Sequence, residues 1–317
     1  RPLLNVSQAA PVDPPPAPLR EAMAQIVLND AEAHLYGPVL GLPALRAEVA
    51  KQWTASYGGN VAADQVAITS GCNQAFAATI ATLCTEGDEV IIPVPYYFHH
   101  RMWLDMSGVS TVPLPARADM VPNKQDAAKL ITSKTRAIAL VSPNNPCCVE
   151  YPAETLREFC DLALKHGIAL IVDATYRDFD SRRGAPHDLF TDPNWDDTLI
   201  QLYSFSKAYR LTGHRVGAVV AGVQRLAEIE KFLDTVTICP NQLGQRAALW
   251  GMQNLGEWLA GERLEILDRR AAIEEHFHIL ANQGWTLLGC GAYFAYVKHP
   301  FAMASAETAP SLLRQAG

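Results

Sequence analysis

The sequence has no apolar run of eighteen residues and no block of like charge. A membrane-spanning helix needs a run of about that length, and the first residues lack the charged and then apolar pattern of a signal peptide. The net charge of −7 over 317 residues, without a basic stripe, disfavours nucleic acid and anionic membranes as main partners. We therefore expect a cytoplasmic protein that binds small molecules.

Metal-binding and nucleotide-binding patterns are missing as well. The seven cysteines contain no C-x-x-C pair, so we expect them to be reduced and mostly buried. His99 and His100, with cysteines scattered elsewhere, do not form the clustered ligands of a zinc site. The string Gly289-Cys290-Gly291 lacks the third glycine and the following helix of a dinucleotide-binding loop. No metal or dinucleotide is predicted.

Apolar residues are plentiful, and at 49% of the chain they can fill a large buried core. We predict an N-terminal arm and the start of a small domain over residues 1–30, a large domain with linking helices over 31–284, and part of a small C-terminal domain over 285–317. Prolines crowd the first twenty residues and predict an extended arm there, because a helix interior does not tolerate them.

Short, nearly uninterrupted apolar runs alternate with helical patterns along the middle of the chain. The strand-like runs cover residues 66–69, 89–93, 137–141, 168–172, 199–203 and 216–220. Apolar residues at helical spacing lie over 42–53, 76–84 and 156–163, and residues 221–284 also have a helical pattern. This alternation is typical of a mainly parallel sheet covered by helices on both faces, so we predict an α/β fold.

Four unusual local sequences follow predicted strands. They are Ser70-Gly71-Cys72-Asn73, Ser142-Pro143-Asn144-Asn145-Pro146, Asp173-Ala174-Thr175-Tyr176 and Ser204-Phe205-Ser206-Lys207. In open parallel sheets, ligands bind at the carboxyl ends of the strands. We therefore expect these four sequences to form one site.

Lys207 directly follows an apolar strand and has Ser204, Ser206 and Arg215 nearby in the sequence. Hydroxyl groups and a guanidinium bind phosphate oxygens well. A lysine amine becomes a nucleophile when burial or a nearby cation lowers its pKa. A solvated surface lysine is the alternative, but the apolar strand before it argues against that. This group predicts a lysine that holds an aldehyde cofactor as an imine beside a bound phosphate.

Two of the other strand ends fit the same ligand, although each also has a plainer interpretation. Gly71, Cys72 and Asn73 begin a predicted helix, whose N-terminus can bind a phosphate or can simply follow a turn. Asp173 can pair with a protonated ring nitrogen or can form a turn. Both interpretations stay open from the residues alone.

Tyr176 and Asn145 are predicted to hydrogen-bond an oxygen on the ring of the same ligand. An Asn-Pro pair is usually only a turn, which is the plainer alternative for Asn145. We also predict a cis peptide bond between Asn145 and Pro146, because the tertiary amide of proline makes the cis form accessible.

In order and spacing, these motifs resemble those of the fold type I pyridoxal-phosphate aminotransferases, the class I/II enzymes of the aspartate aminotransferase superfamily. The resemblance starts at Ser7-Gln8-Ala9-Ala10-Pro11, continues through residues 36–46 and ends at Gly291-Ala292-Tyr293-Phe294. It thus covers almost the whole chain. It implies a large domain with a sheet of the seven-stranded type, a smaller α/β domain, pyridoxal 5'-phosphate as cofactor, and a homodimer with shared active sites.

The resemblance also implies roles for individual residues. Lys207 would form the internal aldimine with the cofactor and then move the substrate proton. Asp173 would pair with the pyridine nitrogen, Asn145 and Tyr176 would hold the ring oxygen, and Tyr97 would stack on the ring, although a tyrosine at that position is more often a packing residue. The implied phosphate site consists of Gly71, Cys72, Asn73, Ser204, Ser206 and Arg215, with Tyr36 from the partner subunit.

Three features depart from the family pattern. Cys147 and Cys148 replace the usual Thr-Gly after Asn-Pro, either as small packing residues or as a redox-sensitive site. Ala9 stands where many relatives have glycine near the substrate carboxylate, so Ala9 and Asn145 are expected to contact the substrate. The chain ends at Gly317, before the arginine that binds the α-carboxylate in the family, and we therefore expect the small domain to be incomplete.

The resemblance implies an enzyme of amino-acid metabolism that moves the amino group of an L-amino acid to a 2-oxo acid. A carbon–sulfur β-lyase of the same fold is the alternative, since the same lysine and ring serve both reactions. A cofactor-binding regulatory domain is a remote third possibility. Tyr96, Tyr97 and Phe98 near the expected ring site favour an aromatic or other uncharged amino donor.

Overall fold

The computed structural model describes residue 6 and residues 8–316 of the chain, with only the backbone of Ala316. Ser7, the first residue of the arm motif, therefore lies outside the described residues. So do residues 1–5 and Gly317, which contain the outer limits of the first and last predicted domains.

Strands and helices alternate through the first two thirds of the chain. The strands are β1 (Val66–Thr69), β2 (Glu89–Val94), β3 (Ser110–Pro115), β4 (Thr135–Val141), β5 (Ala169–Asp173), β6 (Leu199–Ser204), β7 (Gly217–Val220), β8 (Thr286–Gly291) and β9 (Phe294–Lys298). The helices are α1 (Ala17–Asn29), α2 (Pro43–Tyr57), α3 (Cys72–Leu83), α4 (Phe98–Met106), α5 (Lys124–Leu130), α6 (Ala153–His166), α7 (Phe205–Ala208), α8 (Val223–Thr237), α9 (Gln242–Asn254), α10 (Gly256–His276), α11 (His278–Ala281) and α12 (Ser305–Ala316). Short 3-10 helices cover Ala31–His34, Ala63–Gln65, Arg177–Phe179, Leu189–Thr191, Trp195–Asp197 and Thr212–His214.

Within the described residues, seven strands form one sheet in the order β1-β7-β6-β5-β4-β2-β3. The pairs β3–β2, β2–β4, β4–β5 and β5–β6 are parallel, whereas β7 runs antiparallel to both β6 and β1. Every strand of this sheet except β7 therefore runs in the same direction. The predicted mainly parallel α/β sheet is confirmed, and the carboxyl ends of β1, β4, β5 and β6 lie along one edge.

Both faces of the sheet are buried, which explains the apolar runs in the sequence. In β4, Ile138 and Leu140 pack into the core that contains Trp53, while Ala137 and Ala139 pack into the core on the opposite face. Successive strand residues point to opposite faces. A strand that is covered on both sides must therefore be apolar at nearly every position.

Two features of the chain differ from the sequence prediction. The apolar pattern does not reveal β3, because Pro113 and Pro115 interrupt it; a proline is tolerated there because β3 is an edge strand. The expectation of an extended arm across the first twenty residues is wrong from Ala17 onward, where α1 begins. Pro18 lies in the first turn of that helix, where a missing N–H group has no effect, and Leu19 is buried in the main core.

The strands β8 and β9 form an antiparallel hairpin beside α10. Gly289 in β8 lies so close to the loop that follows β4 that a β-carbon there would be 2.1 Å from the carbonyl oxygen of Cys147. The turn of the hairpin contacts Tyr176 and Phe179, which follow β5. The hairpin therefore stands beside the carboxyl edge of the sheet. Among the described helices, none has the length and apolar character needed to cross a membrane.

Candidate active site

A cavity of about 710 Å³ opens at the carboxyl edge of the sheet. All four strand ends singled out in the sequence contribute to its wall, because β1, β4, β5 and β6 end on this side. Most of the predicted site residues line it: Ala9, Cys72, Asn73, Tyr97, Asn145, Asp173, Tyr176, Ser204, Ser206, Lys207 and Arg215. Two predicted residues, Gly71 and Tyr36, are not part of the lining.

Gly71 instead shapes the wall from behind. It is the residue before the first turn of α3, with φ 88° and ψ 167°, a conformation that favours glycine. A β-carbon on Gly71 would be 2.4 Å from Nη2 of Arg215, so only glycine lets the guanidinium lie this close to the start of the helix. The backbone N–H groups of the first turn of α3 and the Arg215 cation thus face the same region.

Gly217 has a similar role and was not identified from the sequence. It pairs with Thr69 in the antiparallel register of β1 and β7. A β-carbon at this position would be 2.7 Å from the backbone nitrogen of Cys72. The signal available in the sequence was a glycine at the start of an apolar strand, directly after Arg215 and Val216.

Arg215 is itself held by two hydrogen bonds. Its Nη1 donates to Oγ of Ser206 at 3.3 Å and to the carbonyl oxygen of Thr212 at 2.9 Å. Oγ of Ser204 accepts a bond from the backbone N–H of Ser206 at 3.2 Å and caps α7. The two serines, the arginine and the start of α3 together form a region rich in donors, which suits a phosphate group.

Lys207 projects from α7 into the cavity. Its Nζ donates a hydrogen bond to the carbonyl oxygen of Ala9 at 3.1 Å, so the arm lies over the lysine. Burial and the positive charge of Arg215 lower the pKa of Lys207. A lowered pKa increases the fraction of uncharged amine, which is the nucleophilic form.

Asp173 ends β5 and is 3% exposed. Its Oδ1 accepts a hydrogen bond from the backbone N–H of Thr175 at 3.0 Å, and its Oδ2 lies 3.3 Å from Nε2 of His100. Burial raises the pKa of the Asp173 carboxyl, but the interactions with His100 and Thr175 outweigh it and hold the pKa below its usual value. A buried carboxylate is thus available at the cavity wall, and its bond to Thr175 is also the turn interaction expected of the plainer interpretation.

His100 was not predicted to contact Asp173. From the sequence it was rejected as a metal ligand. It is 2% exposed, and its ring stacks on Phe76 with centroids 3.9 Å apart. The signal that could have identified it is its position in the first turn of a helix that follows the predicted ring-stacking residue, Tyr97.

Tyr97 lines the cavity and also packs against its neighbours. Its ring stands edge-on to that of His100 at 5.2 Å, and its hydroxyl donates to Oδ1 of Asn73 at 3.2 Å. Burial and the nearby Asp173 carboxylate raise the pKa of Tyr97 to about 12. The phenol is therefore protonated at neutral pH.

Tyr176 is 3% exposed, and burial together with the Asp173 charge raises its pKa well above the usual value. Phe294 from the β8–β9 hairpin packs edge-on against it at 5.4 Å. Asn145 lies on the facing loop, and its bond to Pro146 is cis, as predicted. Two further cis bonds were not predicted, one before Pro95 and one before Pro143.

The two adjacent cysteines lie under the wall of the cavity. Cys147 and Cys148 are 0% and 2% exposed, and burial raises the pKa of both thiols. Cys148 has φ 59°, the left-handed conformation for which the family's glycine is suited. Buried thiols with a raised pKa react slowly, which favours the packing interpretation over the redox interpretation. All seven cysteines of the chain lie within the described residues and are free, as expected.

Other parts of the wall were not predicted to bind the cofactor, although Phe98 was expected near its ring. Phe98 and His99 come from the start of α4, and Tyr293, Phe294 and Tyr296 come from the β8–β9 hairpin.

Arg210 fixes the arm, since it binds Glu262 of α10 at 2.6 Å and approaches the carbonyl oxygen of Pro14 at 3.5 Å. No cluster of side chains suited to a metal ion occurs among residues 6 and 8–316.

The cavity residues fit pyridoxal 5'-phosphate. The donors around Arg215 suit its phosphate, the buried Asp173 carboxylate suits a protonated ring nitrogen, and Lys207 offers an amine to its aldehyde. Residues 1–317 match the family model described as aminotransferase class I and II. The chain belongs to this family. The relatives named below are aminotransferases, which depend on pyridoxal phosphate, so the predicted family, enzyme class and cofactor are confirmed at the level of the family.

Individual relatives agree on the family but differ in the amino acid that their names give. An aromatic aminotransferase of Arabidopsis thaliana is 29% identical over 295 residues, which cover 90% of this chain and 72% of that protein. An arginine–pyruvate transaminase of Pseudomonas aeruginosa is 33% identical over 232 residues, covering 72% of this chain and 58% of that protein. Across several curated relatives, the matched part covers between 52% and 72% of their length.

A solved structure supports the fold. A variant of the aspartate aminotransferase of Thermus thermophilus superposes with a TM-score of 0.91 and 23% identity, covering 99% of this chain and 86% of that one. At this identity the likeness concerns the fold alone. It confirms the predicted α/β fold with its mainly parallel sheet.

Proposed function

We propose that this chain is part of an aminotransferase that moves the amino group of an L-amino acid to a 2-oxo acid, with Lys207 as the residue that binds pyridoxal phosphate. The observation that carries the proposal is the position of Lys207 in one cavity with a buried carboxylate and a phosphate-type donor region. The family match supports amino transfer as the reaction class.

Lys207 has two tasks in this proposal. Bound pyridoxal phosphate supplies an aldehyde that combines with amines and a ring that withdraws electrons from the substrate. The amine of Lys207 would hold the cofactor through its aldehyde, and the same amine would be the base that takes up a proton from the substrate at Nζ. Burial and the Arg215 charge lower its pKa, which leaves Nζ uncharged more of the time and therefore able to take up that proton.

The surrounding residues hold the cofactor in this proposal. Asp173 would keep a proton on the ring nitrogen, because its own pKa is held low and it stays ionised. Tyr176 and Asn145 would donate hydrogen bonds to the ring oxygen, and Tyr97 would pack against the ring. The phosphate would be held by the start of α3 at Gly71, Cys72 and Asn73 and by Ser204, Ser206 and Arg215.

We further propose that the protein works as a homodimer in the cytoplasm, with Tyr36 completing the phosphate site of the partner subunit. Tyr36 is 80% exposed, yet it precedes a rigid turn, since Gly37 donates a hydrogen bond to Sγ of Cys239 and has no room for a β-carbon beside Gln242. An exposed aromatic residue on a rigid loop suits a contact with another chain. The division into domains at residues 30/31 and 284/285 is proposed with it.

The amino donor in this proposal has an uncharged and preferably aromatic side chain. Among the described residues of the lining, the charged groups are Asp173, Lys207 and Arg215, and all three are assigned to the cofactor. The remaining wall includes several aromatic rings, namely Tyr97, Phe98, Tyr293, Phe294 and Tyr296. Ala9 and Asn145 are proposed to contact the substrate, with Ala9 near its carboxylate.

A half-reaction screen tests the function. The purified holoenzyme is mixed with each amino acid in turn, without oxo acid, and loss of the visible absorbance band of the bound cofactor identifies the donor. We expect aromatic amino acids to bleach the band fastest. Ammonia and pyruvate formed from a sulfur amino acid, with no need of an oxo acid, would instead support the β-lyase alternative.

A pair of lysine variants tests the role of Lys207. Lys207→Ala should lose the absorbance band of the covalently bound cofactor and nearly all turnover, because no second lysine lines the cavity among the described residues. Lys231→Ala changes an exposed lysine of α8 and should leave both unchanged. Normal turnover by the Lys207→Ala protein would refute the assignment.

A further inference from the structure

A second, smaller cavity of about 170 Å³ lies beside His100, whose Nε2 is 3.3 Å from the Asp173 carboxylate. Its wall comes from α3 and α4: Asn73, Phe76, His99, His100, Met102, Trp103 and Met106. Most of this wall is apolar, and the two methionines at its rim are more than half exposed in the single chain.

Two nitrogen atoms of residues in this wall lack a partner. Nδ1 of His100 and Nε1 of Trp103 are both buried, and neither forms a hydrogen bond with any of the described residues. His100 as a whole is 2% exposed. Buried polar atoms without a partner are rare in proteins, and each one needs an explanation such as a bound water.

The two nitrogen atoms are chemically complementary. Asp173 is ionised and can only accept, so Nε2 of His100 must carry the proton that bonds to it. In the neutral imidazole Nδ1 is then an acceptor, whereas the indole Nε1 of Trp103 is always a donor. His100 and Trp103 stand three residues apart on α4 and therefore project from the same side of the helix.

One water molecule between the two atoms would satisfy both. It can accept a hydrogen bond from the indole N–H and donate one to Nδ1. A cavity of 170 Å³ has room for it, since one water occupies about 30 Å³ in the liquid. Polar partners on two sides are the condition under which a small cavity holds water rather than staying empty.

We propose that a water molecule bridges Nε1 of Trp103 and Nδ1 of His100 and so keeps His100 in the tautomer that donates Nε2–H to Asp173. Trp103 is then a positioning residue that acts on Asp173 through the water and His100. The bridge follows from the two nitrogens alone, whereas its effect on cofactor binding rests on the proposed function of Asp173.

The bridge itself is tested without cofactor. In the protein with 15N-labelled histidine, we expect His100 to carry a proton on Nε2 and to accept a hydrogen bond at Nδ1. Trp103→Phe should move the Nδ1 signal toward that of an unbonded nitrogen. Trp195→Phe is the matched control, because it removes an indole N–H that already bonds to the carbonyl oxygen of Asn60; its His100 signals should not change.

Crystals of the same protein give a direct view. A water within hydrogen-bond distance of both nitrogens is expected in the wild type and should be absent or displaced in Trp103→Phe. A His100 that is doubly protonated, or Nδ1 signals that are the same in wild type and Trp103→Phe, would overturn the bridge.

The consequence for the cofactor is measured separately. Trp103→Phe should raise the dissociation constant of pyridoxal phosphate by about three- to tenfold, because it removes a hydrogen bond that orients His100, the partner of Asp173. Trp195→Phe should leave it unchanged. If the NMR signals shift but the affinity does not, the bridge stands and the proposed role of Asp173 at the ring nitrogen fails.

Discussion

Replacing Gly71 by alanine tests how the phosphate side of the main cavity is built. Gly71 has φ 88° and ψ 167°, a region that is strained for any residue with a β-carbon. In addition, the new β-carbon would lie 2.4 Å from Nη2 and 3.0 Å from Cζ of Arg215. The substitution therefore has two separate effects, one on the backbone and one on the guanidinium.

Each effect has its own magnitude. The backbone strain should lower the free energy of unfolding by about 1–3 kcal/mol. The guanidinium must move by roughly 1 Å to reach an ordinary carbon contact, and its bond to Ser206, already 3.3 Å long, would then be broken. The loss of one charge-assisted bond to the phosphate corresponds to about 1.5–3 kcal/mol, or a roughly 10- to 150-fold weaker affinity for pyridoxal phosphate.

Gly87→Ala separates the two effects. Gly87 also has φ 88°, but a β-carbon there would meet nothing within 4 Å. Urea unfolding of the cofactor-free proteins should show a loss of stability in both variants. Titration with pyridoxal phosphate should show the weaker affinity only in Gly71→Ala, and pyridoxal, which has no phosphate, should bind both variants alike. Equal affinities of the two variants for pyridoxal phosphate would refute this account of Gly71.

Two further predictions concern the arm and the core. Arg210→Ala removes the hydrogen bonds to Glu262 and to the arm. Proteolytic cleavage within residues 10–16 should therefore become at least about tenfold faster. The control Arg269→Ala breaks an exposed ion pair on α10 and should not change the cleavage rate. Burial lowers the pKa of His187 to about 3. The unfolded chain therefore takes up a proton below about pH 6.5 that the folded protein does not, and stability falls as the pH falls through this window. Between pH 7 and pH 5, wild type should lose about 2 kcal/mol more of its unfolding free energy than His187→Gln does, as measured in urea; equal losses would contradict the burial of a neutral imidazole.

The strands of the main sheet were predictable because they are covered on both faces. The run predicted at 66–69 coincides with β1, and the run at 199–203 ends one residue before the end of β6. A strand that is buried twice has no polar face to interrupt its pattern. Because parallel strands that run in the same direction end at one edge of the sheet, the pattern also predicted that the four polar sequences lie close together.

Elements that depend on a special position in the fold were not predictable. The prolines of β3 are compatible with a strand only because that strand lies at the edge of the sheet. The direction of β7 is a matter of which neighbours it pairs with, and its apolar sequence suits either direction. The start of α1 at Ala17 was hidden by prolines that a first turn accepts.

Site residues were predictable where a short motif carried the chemistry and not where packing recruited them. Asp173 ends β5 and Lys207 lies three residues after β6, so their own sequence neighbours identify them. His100 and the hairpin residue Tyr296 carry no such motif. They belong to the cavity because α4 and the β8–β9 hairpin pack beside the sheet edge.

By itself the sequence determined the α/β class, the positions of the buried strands and the kind of cofactor, since periodic burial and the chemistry of side chains are local properties of the chain. Only the tertiary structure decided that His100 supports Asp173, that Ala9 reaches Lys207 and that Gly71 makes room for Arg215. These contacts join segments far apart in the chain. They depend on how whole elements pack against each other, which no local pattern specifies.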